Sequence, residues 1–111
     1  MSQLDKSRRI AALNDALRST YNSGTLVLTA GIQAHPEEVQ VGILYAVRNF
    51  NAFTPDNDPH GEHDFGSLTH QGIHVFWKID YYDQNMVFHS EDPADPASTQ
   101  GVLTIMLATE Y

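Results

Sequence analysis

The chain has 111 residues, 41% of them apolar and 18% charged, with no cysteine and a formal net charge of −8. That length provides for one hydrophobic core over residues 1–111 and not two, and the lack of cysteine excludes disulfides, thiolate metal sites and a cysteine nucleophile. No apolar run approaches the ~20 residues that cross a bilayer, and the surplus of carboxylates argues against direct binding to a nucleic-acid backbone, which depends on Lys and Arg releasing counterions.

At the N-terminus, MSQLDKSRRIAAL is basic but holds no apolar stretch of signal-peptide length, so a cytoplasmic protein is expected. Ser2 with Asp5 three residues on approximates a capping box, and Leu4, Ile10, Leu13 and Leu17 recur at near-helical spacing, which predicts a first helix. Asn22-Ser23-Gly24 stops it. Residues 25–30, TLVLTA, have the length and branching of a strand, apolar on both faces and therefore expected at the centre of a sheet. His35-Pro36-Glu37-Glu38 then starts a second helix, with proline at the first helical position and acids where the dipole favours them. Its stripe of Val39, Ile43, Leu44, Val47 and Phe50 needs a sheet to cover it.

Residues 51–66, NAFTPDNDPHGEHDFG, defeat either periodicity and read as a long loop. Residues 73–82 alternate with period two as a strand, and Gln71-Gly72 predicts a hairpin back to residues 65–70. Met86 to His89 suggests a short edge strand after the turn at Asp83. Asp95-Pro96 offers an N-cap, and Val102, Leu103, Met106 and Leu107 recur as a helical stripe, predicting a third helix to the C-terminus. The fold class is α+β: two layers, with a small antiparallel sheet of three or four strands packed with three helices.

Charge is unevenly distributed. Residues 1–18 carry Lys6, Arg8, Arg9 and Arg18 against Asp5 and Asp15, a net of +2; the remainder keeps only Arg48 and Lys78 against twelve carboxylates, a net of −10. Such a surface suits basic partners, divalent cations or mimicry of nucleic acid, or serves plain solubility.

Chemistry concentrates in two places. In the loop, Asp56, Asp58, His60, Glu62, His63 and Asp64 fall within nine residues. Carboxylates held close together raise one another's pKa, at ~1.4 kcal/mol per unit, so they either splay into water or gather around something positive. The beginning resembles a calcium loop, but the bidentate acid due six residues after Gly61 is Ser67, which excludes an EF-hand. His60 and His63 with Glu62 or Asp64 are instead candidate ligands for a divalent metal such as zinc, manganese or iron; the alternative is a structural loop in which Asp and Asn cap turns. In the second place, Phe76, Lys78, Asp80 and Tyr82 share one strand face. Lys78 is a candidate anion binder and Asp80 a candidate base, alongside His63 and Asp64; the alternative is an ion pair worth under about 1 kcal/mol. Asp56, Asp58, Glu62, Trp77, Tyr81, Tyr82 and Asp83 are candidate contact residues. There is no Gly-x-Ser-x-Gly turn, Ser-x-x-Lys spacing or glycine-rich phosphate loop.

The strings Asn14-Asp15 with Arg18, TAGI at 29–32, FTPDNDP and GEHDFG within 53–66, WKIDYYD at 77–83, and DPADP with VLTIMLA and a final EY resemble a bacterial domain-of-unknown-function family, DUF3768, over nearly the whole chain. The resemblance implies members frequent in bacterial genomes and on mobile elements, and no reaction. The family pattern usually has a basic residue just before VLTIM, where this chain has Gln100-Gly101, so a shared anion site there is in doubt. Three readings are open. One is an acidic, mobile-element-encoded inhibitor occupying a basic groove of a host nucleic-acid-targeting defence complex. The others are a metal-dependent hydrolase or phosphoesterase built on His60 to Asp64, and an accessory structural domain.

Overall fold

The computed structural model describes residues 2–111. Helix α1, Gln3–Thr20, is capped by the Ser2 hydroxyl, which accepts from the Asp5 amide at 3.1 Å. It ends where Tyr21 turns left-handed, at φ 57°. Strand β1, Thr25–Leu28, is followed by a one-turn helix α2, Ala30–Gln33, and by α3, Glu37–Arg48. A loop leads to β2, Phe65–His70, and β3, Ile73–Tyr82, which form the expected hairpin, and β4, Gln100–Leu107, precedes a closing 3-10 turn, Ala108–Glu110.

The architecture is α+β, three helices packed on a four-stranded sheet in the order β1-β4-β3-β2. β2, β3 and β4 run antiparallel, while β1 joins β4 in parallel. Side chains of β3 alternate between faces: Val75, Trp77 and Ile79 point to the helices and meet Leu103 and Ile105 of β4, Leu17 of α1, Ile32 of α2, and Ile43 and Val47 of α3. Trp77 fits because Gly66 opposes it on β2; a Cβ there would fall on the indole. Among the described residues no helix is long and apolar enough to cross a membrane.

Three expectations are corrected. Residues 100–107 form a strand rather than a third helix; Val102, Leu103, Ile105 and Met106 are buried on both faces of the sheet. A strand covered on both sides has no alternation to show, and its pairs of apolar residues imitate helical spacing. The third helix is instead α2, where the run after Leu28 bends at Thr29. β1 is consequently an edge strand, with β4 taking the inner position. Among the described residues, 86–89 make one bridge, His89 to Tyr82, so the edge strand there is reduced to a hairpin.

Candidate functional site

The polar motifs converge. The buried face of α1 is half polar, with Ser7, Asn14 and Arg18 beside Ile10, Ala11 and Leu17, and Asn14 and Arg18 reach for the 49–64 loop, β3 and the end of α3. The Asn14 amide donates to the Glu62 carbonyl at 2.9 Å and to the Tyr81 hydroxyl at 3.0 Å, and that hydroxyl donates to Glu62 Oε1 at 2.9 Å. Burial pushes the Tyr81 phenol well above its ordinary pKa, so it stays a donor. Arg18 donates to the Val47 and Phe50 carbonyls, both at 2.9 Å, and to Asp15 at 2.8 Å. Its guanidinium lies 4.7 Å from the Trp77 ring centroid and 5.3 Å from that of Phe53.

His63 closes this network. Its Nδ1 sits 2.9 Å from Asp15 Oδ1; a carboxylate can only accept, so Nδ1 carries the proton. Nε2 lies 3.8 Å from Asp58 Oδ2. Asp58 is buried and its carboxylate accepts the amides of Glu62 and His63, which turns the backbone so that His63 adopts φ 55°.

Of the loop residues singled out in the sequence, His63, Asp58 and Glu62 therefore join one network, while Asp56 and His60 stay exposed and apart. Asp64 is half-buried; burial, then the neighbouring Glu62 carboxylate, raise its pKa. Among the described residues no group of three or more His, Asp or Glu is placed to hold a metal ion. A carboxylate-oriented imidazole is a useful base or ligand, and the Asp15–His63 pair, between α1 and the loop, is an arrangement of that kind.

The remaining candidates belong to β3 and the hairpin after it. Trp77 is core. Lys78 and Asp80 pair at 2.8 Å on the sheet face away from the helices, and hydrogen bonding to Asp80 raises the Lys78 pKa. Phe76 on that face packs against Phe65 and edge-on to Tyr111, at 5.4 and 5.5 Å. Tyr82 stacks on His89 at 6.0 Å. Asp83 builds the hairpin: its carbonyl accepts the Met86 amide, its carboxylate the Val87 amide at 3.0 Å, and its own amide donates to the Phe88 carbonyl at 2.7 Å. Met86 is held at φ 60°. The tip displays Met86, Val87 and Phe88, 44%, 64% and 72% exposed. Asp83, Glu91, Asp92 and Asp95 line one concave surface with Phe88 and His89.

Sequence reasoning misses the partners on α1 as site residues. Asn14, Asp15 and Arg18 are visible there only as a motif, and Phe53, the ring beneath His63, only as part of a loop string. The exposed Met-Val-Phe tip has the composition of a strand and hides its role as a turn.

Residues 28–110 match the model of a family described as Protein of unknown function (DUF3768), and the chain belongs to that family. No curated protein and no solved structure matches it.

Proposed function

Starting from membership of this family, we propose that the chain is a non-catalytic binding protein whose 83–95 region engages a basic protein. The observation that carries this reading is the hairpin tip, three consecutive apolar side chains held in solvent by Asp83, of which Phe88 shares a concave surface with Glu91, Asp92 and Asp95. Leaving side chains of this kind exposed forgoes about 1.5 to 3 kcal/mol each relative to burial. An apolar centre with a charged rim is the anatomy of a protein interface. The rim's sign, in a chain of net charge −8, selects a positive partner and steers its approach. A basic groove of a nucleic-acid-targeting complex has that chemistry, and an inhibitor carried by a mobile element and acting in the cytoplasm is the specific form we favour. The polar motifs then serve the scaffold, which keeps the tip in place.

The test is affinity capture with the full chain and with Phe88→Ser, followed by titration of the purified partner against both. We expect one-to-one binding that weakens steeply with salt and is reduced about 30-fold or more in Phe88→Ser, with Leu4→Ser, another exposed apolar residue, unchanged. Salt-insensitive binding, or equal affinity of Phe88→Ser and the parent chain, overturns the reading.

The Asp15–His63 pair favours a second reading, a metal-dependent hydrolase with His60, Glu62, His63 and Asp64 as ligands or base. It requires the loop to close around a cation. Elemental analysis of purified protein and a melting curve with EDTA, then with zinc, manganese, magnesium or calcium restored, decide it: a stoichiometric metal lost in His63→Ala supports it, and no metal with no shift removes it.

A further inference from the structure

At the end of the molecule where the C-terminal turns of α1 and α3 meet the 49–64 loop, an open concavity of about 530 Å³ is lined by Asp15, Arg18, Ser19, Arg48, Asn51 and His63, with aromatic walls from Phe50 and Phe53. The chain has six Lys and Arg residues in all; two of them meet here, and Asp15 is the one carboxylate on the wall.

The two arginines have different standing. Arg18 is 4% exposed and fixed by its bonds to Val47, Phe50 and Asp15, and its Nε–H has no hydrogen-bond partner among the described residues. Its position is set before any ligand arrives, which removes the ordering term from binding. Asp15 offsets it incompletely, because that carboxylate is 43% exposed and is shared with His63. Arg18 also satisfies the Val47 carbonyl in the last turn of α3 and the Phe50 carbonyl just beyond it, the task a cation in the last helical turn ordinarily performs. Arg48, in that last turn, is thereby left without one: it is exposed and makes no ion pair among the described residues. The Asn51 side chain is exposed and lines the same space.

We propose that this concavity is a binding site for a small oxyanion, the phosphoryl or carboxylate group of a ligand, grasped by the Arg48 guanidinium and the Asn51 amide over the fixed charge of Arg18. A guanidinium presents paired N–H groups that match either oxyanion in two parallel bonds. This site stands independently of the 83–95 surface, and its failure would leave that surface untouched.

The experiment is a heteronuclear NMR titration of the full chain with inorganic phosphate and, separately, with acetate, at constant ionic strength. The expected result is saturable shifts at Ser19, Arg48, Asn49 and Asn51 with at least one of the two anions. Arg48→Gln should weaken this binding tenfold or more, ~1.4 kcal/mol. Arg9→Gln, an exposed cation of α1 that does not line the concavity, should change it less than twofold. Saturation by phosphate alone assigns a phosphoryl ligand, and by acetate alone a carboxylate. Non-saturating shifts with both anions up to ~10 mM, an affinity weaker than ~3 kcal/mol, or equal weakening in the two variants, overturn the proposal. Unchanged melting temperatures show that both variants are folded.

Discussion

The imidazole of His63 lies flat on the ring of Phe53, centroids 3.9 Å apart and planes within 1°. The same imidazole is hydrogen-bonded to Asp15, 48 residues away in the chain, so one side chain fastens the loop both to its own aromatic floor and to α1. The backbone that delivers it is in the left-handed region at φ 55°.

That geometry separates two contributions. His63→Ala removes the ring and retains the backbone strain, and should destabilise the fold by about 2 kcal/mol. His63→Gly removes the ring and the strain together, and should be more stable than the alanine variant by roughly 1 kcal/mol. Urea midpoints of the two variants provide the comparison, and equal midpoints would show that the turn is unstrained.

Asp64 behaves oppositely to an ordinary paired carboxylate. Its folded-state pKa is raised by burial and by Glu62, so its contribution is favourable when protonated and is lost as pH rises through that raised value. Asp64→Asn should therefore raise the melting temperature at neutral pH. The advantage should fade below the ordinary aspartate value of about 3.9, where the parent carboxyl is already neutral in both states.

Alkali should loosen the contact between α1 and α3. The Tyr21 hydroxyl donates to the Leu44 carbonyl, and burial pushes its pKa up to about 12. A raised folded-state value means stability that is complete below the unfolded pKa of about 10 and lost as pH rises through the folded one. Urea midpoints measured from about pH 9 to pH 12 should fall, and Tyr21→Phe should flatten that fall in part, leaving the share carried by Tyr81. An unchanged slope in the variant would exclude Tyr21 as a cause.

Glu110 fastens the C-terminal turn to α2. Its carboxylate accepts from the Thr29 hydroxyl at 2.7 Å, the Leu107 amide at 2.8 Å and the Gly31 amide at 3.0 Å. Those donors, the Thr29 hydroxyl foremost, lower its pKa. Its contribution is present above the ordinary glutamate range and lost as pH falls through the lowered value. Glu110→Ala should speed amide hydrogen exchange at Gly31 and Leu107 while the β2–β3 hairpin amides exchange as before.

Much of this fold can be read locally. The Ser2 cap, the α3 stripe and the alternation of β3 each arise from neighbours a few residues apart, and each matches its element. β4 cannot be read that way, because burial on both faces is a property of the sheet around it; the branched Val102, Thr104 and Ile105 are the available cue. The site shows the same division. His63, Asp58 and Glu62 stand out by composition, but nothing near them in the chain announces Asp15 or Asn14, and Arg18 has the look of a surface cation until its guanidinium is found buried against the rings of Trp77 and Phe53.

The inner place of β4 also dictates an order of events during folding. Residues 1–99 can form α1, α3 and the β2–β3 hairpin, but β1 has no strand to pair with until residues 100–107 arrive. Pairing Thr25 with Val102 joins parts of the chain far apart in sequence, the kind of contact that slows folding. A nascent chain short of β4 therefore leaves one edge of β3 and both edges of β1 unpaired, the kind of open edge that invites pairing with another chain.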